Sequence, residues 1–128
     1  MAKILIADDS VFMRKMLKDI LSQNGYTDFL EAENGDKAIK FLDSEKIDLI
    51  LLDIIMPELD GIGVLEEIQK RKDAGKSAPK VAVVSAVGQE EMVNKAKNMG
   101  VKTYVVKPFE EEEVIKAVKT ELGETAGV

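Results

Sequence analysis

Asp8, Asp9, Asp53, Ser85 and Lys107 are the residues of this chain whose types suit chemistry on a charged, oxygen-rich group. Each stands at the end of a short apolar run. Ile4-Leu5-Ile6-Ala7 precedes Asp8-Asp9, Leu49-Ile50-Leu51-Leu52 precedes Asp53, Val81-Ala82-Val83-Val84 precedes Ser85, and Val105-Val106 precedes Lys107. Three carboxylates brought together repel, and their pKa values move by units unless something neutralises them. A hard cation is one neutraliser, and Mg2+ suits a site of one or two carboxylates completed by water. The ammonium of Lys107 is the other. A cleft with a cation, a lysine and a free carboxylate can receive a phosphoryl group, whose charge is shared among the metal, Lys107, the Ser85 hydroxyl and backbone N–H groups. A carboxylate nucleophile then gives an aspartyl phosphate. Asp53 suits that role if its strand is central. Asp8 and Asp9, being adjacent, suit one metal ion, held directly and through water.

Taken singly, each residue has an ordinary explanation. Asp9 or Ser10 can cap a helix, Ser85 can sit in a turn, and Lys107 can be a surface lysine. The chemical reading depends on all five falling at strand ends that share one edge of a sheet.

The elements that would place them there are legible as alternation. Strands are expected at Lys3–Ala7, Asp28–Ala32, Asp48–Asp53, Lys80–Ser85 and Thr103–Lys107. All but the second contain consecutive apolar residues, the pattern of parallel strands covered on both faces. The second is mixed, as at an edge. Between them run helical stripes: Met13, Met16, Leu17, Ile20 and Leu21; Ala38, Ile39 and Leu42; Ile62, Leu65 and Ile68; Met92, Val93, Ala96 and Met99; Val114, Ile115, Val118 and Leu122. Asn24-Gly25, Gly100 and Gly123 supply stop signals. Glu110–Glu113 are placed in the first turn of the last helix, where they complement its dipole.

The result is an α/β fold, (βα)5, a doubly wound parallel sheet of the flavodoxin-like kind. No internal repeat, linker or second domain is expected. Residues 1–123 form the domain and 124–128 a short tail. Ligands in such sheets bind beyond the carboxyl ends of the strands, where the strand order reverses. If the order is 2-1-3-4-5, strands one and three are neighbours at that reversal, and the three aspartates share a cleft.

Composition narrows the classes further. The 128 residues include no Cys and no His, so thiol chemistry, disulfides, Ser/His hydrolysis and phosphohistidine within the chain are excluded. Eighteen Lys and Arg against 24 Asp and Glu give a net charge of −6, which argues against a nucleic-acid partner. No apolar run approaches a membrane span, and Met1-Ala2-Lys3 leads straight into a strand, so no signal peptide is expected. A cytoplasmic protein without membrane insertion is the expectation. A flavodoxin-like cofactor binder is a remote alternative, because Asp8-Asp9 stands where a Gly-rich phosphate loop would be.

The ordered set Ile4-Leu5-Ile6-Ala7-Asp8-Asp9-Ser10, Asp48–Pro57 with Asp60-Gly61, Val84-Ser85-Ala86 and Val106-Lys107-Pro108-Phe109 resembles the response-regulator receiver domains, over essentially the whole chain. Phe12-Met13-Arg14 and Ser85-Ala86-Val87-Gly88-Gln89 resemble the receiver-only regulators of chemotaxis. The resemblance implies the strand order 2-1-3-4-5 and a set of roles. Asp53 would be the phosphoacceptor in a two-component system, charged by the phosphohistidine of a sensor histidine kinase of the chemotaxis type. The domain would catalyse its own phosphorylation and dephosphorylation without being a conventional enzyme. Asp8, Asp9, Asp53 and the backbone carbonyl of Ile55 would hold one Mg2+. Lys107 would contact the phosphoryl oxygens. Ser85 and Tyr104 would form the switch, and Lys107–Pro108 would be cis. The fourth helix, fifth strand and fifth helix would present a face to a flagellar or archaellar motor switch protein or its adaptor. Apolar Ile55 and Val87 flank the site where polar groups are frequent, so they are expected to slow self-dephosphorylation and leave that step to a dedicated phosphatase. The expected state is a monomer. The alternative within the family is a phosphorelay intermediate or an enzyme-regulating receiver outside chemotaxis.

Overall fold

Apolar runs of four to five residues cannot be satisfied at a solvated edge, and the chain buries them as the centre of a sheet. The computed structural model describes residues 2–56 and 60–124. Within them, β1 (Lys3–Ala7), α1 (Val11–Gln23), β2 (Asp28–Ala32), α2 (Gly35–Ser44), β3 (Leu49–Leu52), α3 (Gly61–Asp73), β4 (Lys80–Ala86), α4 (Glu90–Asn98), β5 (Thr103–Lys107) and α5 (Glu111–Leu122) follow in order. The five strands are parallel, in the order β2-β1-β3-β4-β5. The mixed strand β2 is an edge, as its pattern predicts.

Alternate side chains of the strands feed two cores. Leu5, Ala7, Ile50, Leu52 and Val83 face α2, α3 and α4, where Ala38, Leu42, Val64, Leu65, Ile68 and Ala96 meet them. Ile4, Ile6, Leu49, Leu51, Ala82, Val84 and Val105 face α1 and α5, against Leu17, Leu21, Val114, Ala117 and Val118. Burial on both faces explains why β1 and β3 read as unbroken apolar runs. Val64 and Ala117 join the buried set beyond the stripes read from spacing.

The boundaries differ from expectation in small ways. β3 is Leu49–Leu52, although Asp48 and Asp53 still donate backbone N–H groups to β1, at Lys3 O (2.9 Å) and Ala7 O (2.9 Å). β4 runs one residue further, to Ala86. Val106 is 46% exposed: it lies on the edge strand β5 and lines an open groove with Val93 and Lys97 of α4. Glu110 is the N-cap of α5 rather than part of its first turn, and its backbone N–H donates to the Glu113 carboxylate (3.1 Å). Glu124 packs back as well, its carboxylate accepting from the Tyr26 hydroxyl (2.6 Å). Residues 125–128 of the expected tail, and Pro57, lie outside the described residues.

Helix starts fix the loops that follow β1, β2 and β3. Ser10 Oγ accepts from Met13 N (3.2 Å), Asn34 Oδ1 from Lys37 N (2.8 Å) and Asp60 Oδ1 from Gly63 N (3.1 Å). Gly61 lies against the strand end itself. Its N–H donates to Ile54 O (2.7 Å), and a Cβ there would sit 2.6 Å from Ile54 Cα and 2.7 Å from Asp53 O. Both obstacles are backbone, so neither can swing aside. Gly61→Ala is therefore expected to destabilise the fold by roughly 1–3 kcal/mol, the usual range for overpacking. Chemical denaturation of the two proteins measures it, and an unchanged midpoint would show that this loop yields freely.

Candidate functional site

The sheet register brings the acids together. Ala7 pairs with Leu52 between β1 and β3, so Asp8 and Asp53, the next residues of each chain segment, emerge side by side. Both are buried, at 2% and 6% exposure, and Asp9 is exposed beside them. One carboxylate oxygen from each of Asp8, Asp9 and Asp53 lies within 4.8 Å of the others. Lys107 reaches this cluster from the end of β5, which pairs with β4 rather than β3. Its Nζ donates to Asp8 Oδ2 (2.9 Å) and to Asp53 Oδ2 (3.3 Å). The remaining oxygens are partly satisfied by backbone: Asp8 Oδ1 accepts from Ser10 N (2.9 Å) and Asp53 Oδ1 from Ile55 N (3.2 Å).

The electrostatics follow from that packing. Burial pushes the Asp53 carboxyl up, the Asp8 charge pushes it further, and the Lys107 charge and the Ile55 N–H pull it part of the way back, leaving it at about 6. Burial by itself would lower the Lys107 ammonium. The hydrogen bond it donates to Asp8 and the charges of Asp53 and Asp8 outweigh it, so the pKa is raised and Lys107 stays charged. Three carboxylates against one ammonium leave the cluster short of positive charge. That donor set, all hard oxygen, fits a divalent cation such as Mg2+.

The other expected residues surround this centre. Ser85, at 2% exposure, is on β4 with Ala86 beyond it paired to Lys107. Ile55 and Val87 are 46% and 75% exposed, one following Asp53 and the other following β4. The loop carrying Val87 is held by Ala86 N donating to Gln89 Oε1 (3.1 Å). Tyr104 is half-buried on β5. Its hydroxyl donates to Val101 O (2.7 Å), Lys97 Nζ lies 5.5 Å from its ring centre, and burial raises its pKa. The Lys107–Pro108 peptide bond is cis.

Spacing did not single out Arg14 or Glu31. Among the described residues, the buried polar and charged ones are Asp8, Arg14, Asp53 and Ser85, and Arg14 is the one of these to which no role was assigned. Its Nη1 donates to Asp8 O (2.5 Å) and its Nε to Glu31 Oε1 (3.0 Å). The signal was present: Arg14, Leu17 and Leu21 fall at i, i+3 and i+7, one face of α1.

A doubly wound sheet with three acids and a lysine at its switch point defines a phospho-receiver type of domain. The chain belongs to the response regulator receiver domain family, whose model matches residues 4–119. It is 44% identical over 120 residues to Chemotaxis protein CheY of Bacillus subtilis (strain 168), covering 94% of this chain and 97% of that one. It is 37% identical over 117 residues to Sporulation initiation phosphotransferase F of the same organism, covering 91% and 90%. Among solved structures, the CheX-CheY-BeF3-Mg+2 complex from Borrelia burgdorferi matches with a TM-score of 0.79 at 35% identity, covering 93% of this chain and 87% of that one. The protein is thus a response regulator of two-component signalling, homologous to the chemotaxis regulators. Receiver domains bind Mg2+ at an acidic site, and the Asp8, Asp9 and Asp53 cluster is of that kind. No helix among the described residues is long and apolar enough to cross a membrane.

The raised Asp53 pKa has a consequence for stability without added metal. In the unfolded chain the group ionises near its ordinary 3.8, whereas in the fold it does so at about 6. Between those values the folded state holds the extra proton, so its stability falls as pH rises through the window. At about 1.4 kcal/mol per pKa unit, Asp53→Asn is expected to be more stable than wild type by roughly 1–3 kcal/mol at pH 7 in a chelator. The gain should vanish toward pH 4. Thermal melts across that range measure it, and a constant difference at every pH would contradict the assignment to Asp53.

Proposed function

We propose that Asp53 is the phosphoacceptor of a chemotaxis response regulator, charged by the phosphohistidine of a sensor histidine kinase. The observation that carries this reading is the Lys107 ammonium shared between Asp8 and Asp53 (2.9 and 3.3 Å) beside a third carboxylate. Such a site already holds a permanent cation where phosphoryl oxygens would arrive.

Asp8, Asp9, Asp53 and the Ile55 carbonyl would hold one Mg2+, which when bound supplies charge neutralisation at the phosphoryl oxygens. The chain's own residues do the rest. An Asp53 carboxylate oxygen forms the O–P bond as the P–N bond of phosphohistidine breaks, and the electron pair leaves on the imidazole nitrogen. Lys107 stays protonated throughout. Its ammonium is released from the bare carboxylates to pair with phosphoryl oxygens, so charge is stabilised by a group already in place. The Ser85 hydroxyl, at the next strand end, donates to a phosphoryl oxygen and draws the Ala86–Gln89 loop with it. Tyr104 moves into the vacated space. The two conformations differ at the α4–β5–α5 face, which a motor switch protein or adaptor would read. Water attack on phosphorus later cleaves the O–P bond, releases inorganic phosphate and restores the carboxylate. A cytoplasmic monomer fits such a shuttle. The phosphorelay alternative draws on the likeness to the sporulation phosphotransferase. Transfer of the label from Asp53 to a histidine phosphotransfer protein would favour it.

With Mg2+ and a small phosphodonor, intact mass is expected to show one phosphate adduct, lost in Asp53→Asn and on chelation. An adduct that persists in Asp53→Asn would move the acceptor elsewhere. Exposed Ile55 and Val87 leave an apolar rim where polar groups would order an attacking water. The pair Ile55→Asn, Val87→Glu is expected to shorten the lifetime of the phosphorylated form about tenfold, or ~1.4 kcal/mol in barrier. A lifetime equal to wild type would remove these two residues from the account.

A further inference from the structure

We propose that Arg14 is a positioning residue for the acidic site, holding the Asp8–Asp9 peptide so that both carboxylates are presented to one cation. The inference rests on the reading of Asp8 and Asp9 as Mg2+ ligands.

The carbonyl that Arg14 Nη1 grips, at 2.5 Å, is that of Asp8, and it therefore belongs to the peptide unit joining the two acids. A rotation of that unit would turn the Asp9 side chain relative to Asp8. Asp8 is otherwise tied by its own side chain, to Ser10 N (2.9 Å) and Lys107 (2.9 Å), whereas Asp9 is exposed. The peptide between them is the hinge through which Asp9 could drift. Burying an arginine is expensive unless its charge and donors are matched. Here Arg14 is 8% exposed, and Nε donates to Glu31 Oε1 at 3.0 Å. Glu31 is fixed in turn by Lys18 at 2.9 Å, and it sits on β2 beside Ile6 of β1. The guanidinium is planar with donors in fixed directions. Anchoring Nε on the neighbouring strand therefore sets where Nη1 points. The carboxylate that orients it comes from β2, the strand with no candidate catalytic group of its own.

This arrangement is the outer-sphere support that keeps metal ligands in place, whose loss costs about 10–100-fold in metal affinity. Mg2+ binding by calorimetry, at a temperature where circular dichroism shows each variant folded, tests it. Arg14→Met is expected to weaken Mg2+ binding by roughly tenfold. Arg14→Lys, which keeps the charge but not the fork, is expected to restore only part of the loss. Phosphorylation by a small donor should recover at saturating Mg2+ in both, a split that general loosening of the fold would not give. Arg14→Met binding as tightly as wild type, or full rescue by Arg14→Lys, would overturn the positioning role. Asp9→Asn separates the two readings: binding unchanged there would overturn the ligand assignment, and this proposal with it. Should Arg14→Met not fold, Glu31→Met removes the acceptor that anchors Nε while keeping a side chain of similar length, and undiminished Mg2+ affinity in that variant would equally overturn the role.

Discussion

A lysine ammonium suspended between two buried carboxylates is the contact on which the rest of the site depends. Asp8 and Asp53 are forced together by the β1–β3 register, and neither can retreat, because each continues a fully buried strand. Their repulsion is then a property of the fold. The Asp53 carboxyl, raised to about 6 by burial first and by the Asp8 charge second, reflects both. Lys107 offsets that repulsion from β5, two strands from β3 and three from β1, a span of roughly 10–14 Å at the usual spacing between strands. A long flexible stem is needed to cross it, and a compact, strongly hydrated ammonium at the tip can pair with carboxylates or phosphoryl oxygens in turn. Arginine would bring a fixed fork instead, which suits a stationary contact better than one that changes partner.

The two cores supply the rigidity that such a charge cluster needs. β1 and β3 are buried on both faces, and α1, α2 and α3 each start at a side-chain cap. Gly61 brings α3 into contact with the backbone of Asp53 and Ile54, so the peptide after the central aspartate is packed as tightly as the strand before it. On the β1 side the corresponding restraint is polar, through Arg14 and Glu31. The acids are therefore fixed from below by apolar burial and from each side by a different kind of contact.

Much of this was legible in residue order. Unbroken apolar runs mark β1, β3 and β4, the mixed Asp28–Ala32 marks an edge, and the acids and lysine stand at strand ends because only there can they reach one another. The same reasoning misjudged Val106, since two adjacent valines look alike whether or not a helix covers both faces. It passed over Arg14 for a related reason. In Phe12-Met13-Arg14-Lys15 an arginine beside a lysine looks like solvated charge, and hydrophobic spacing cannot register a buried cation whose partners lie on another strand. Its place at i−3 from Leu17 held the information. Burial of a charge becomes interpretable only when Glu31 and the Asp8 carbonyl are known to be within reach.

Exposure of apolar surface follows the same end of the molecule. Among the described residues, the large hydrophobic ones left exposed are Val11, Phe12, Ile55, Val87 and Val106. Four of them sit in the segments that leave β1, β3 and β4, beside the acids, and the fifth directly precedes Lys107 on β5. This edge is occupied by the loops that hold Asp8 and Asp53 and by the end of β4, which carries Ser85. The edge thus combines excess negative charge at its centre with apolar side chains around it. Within it, Lys107 is the cation that pairs with both Asp8 and Asp53. In the proposed phosphorylation Lys107 is also the group that changes partner, so the contact that holds the two acids together is the one an incoming phosphoryl group would take over.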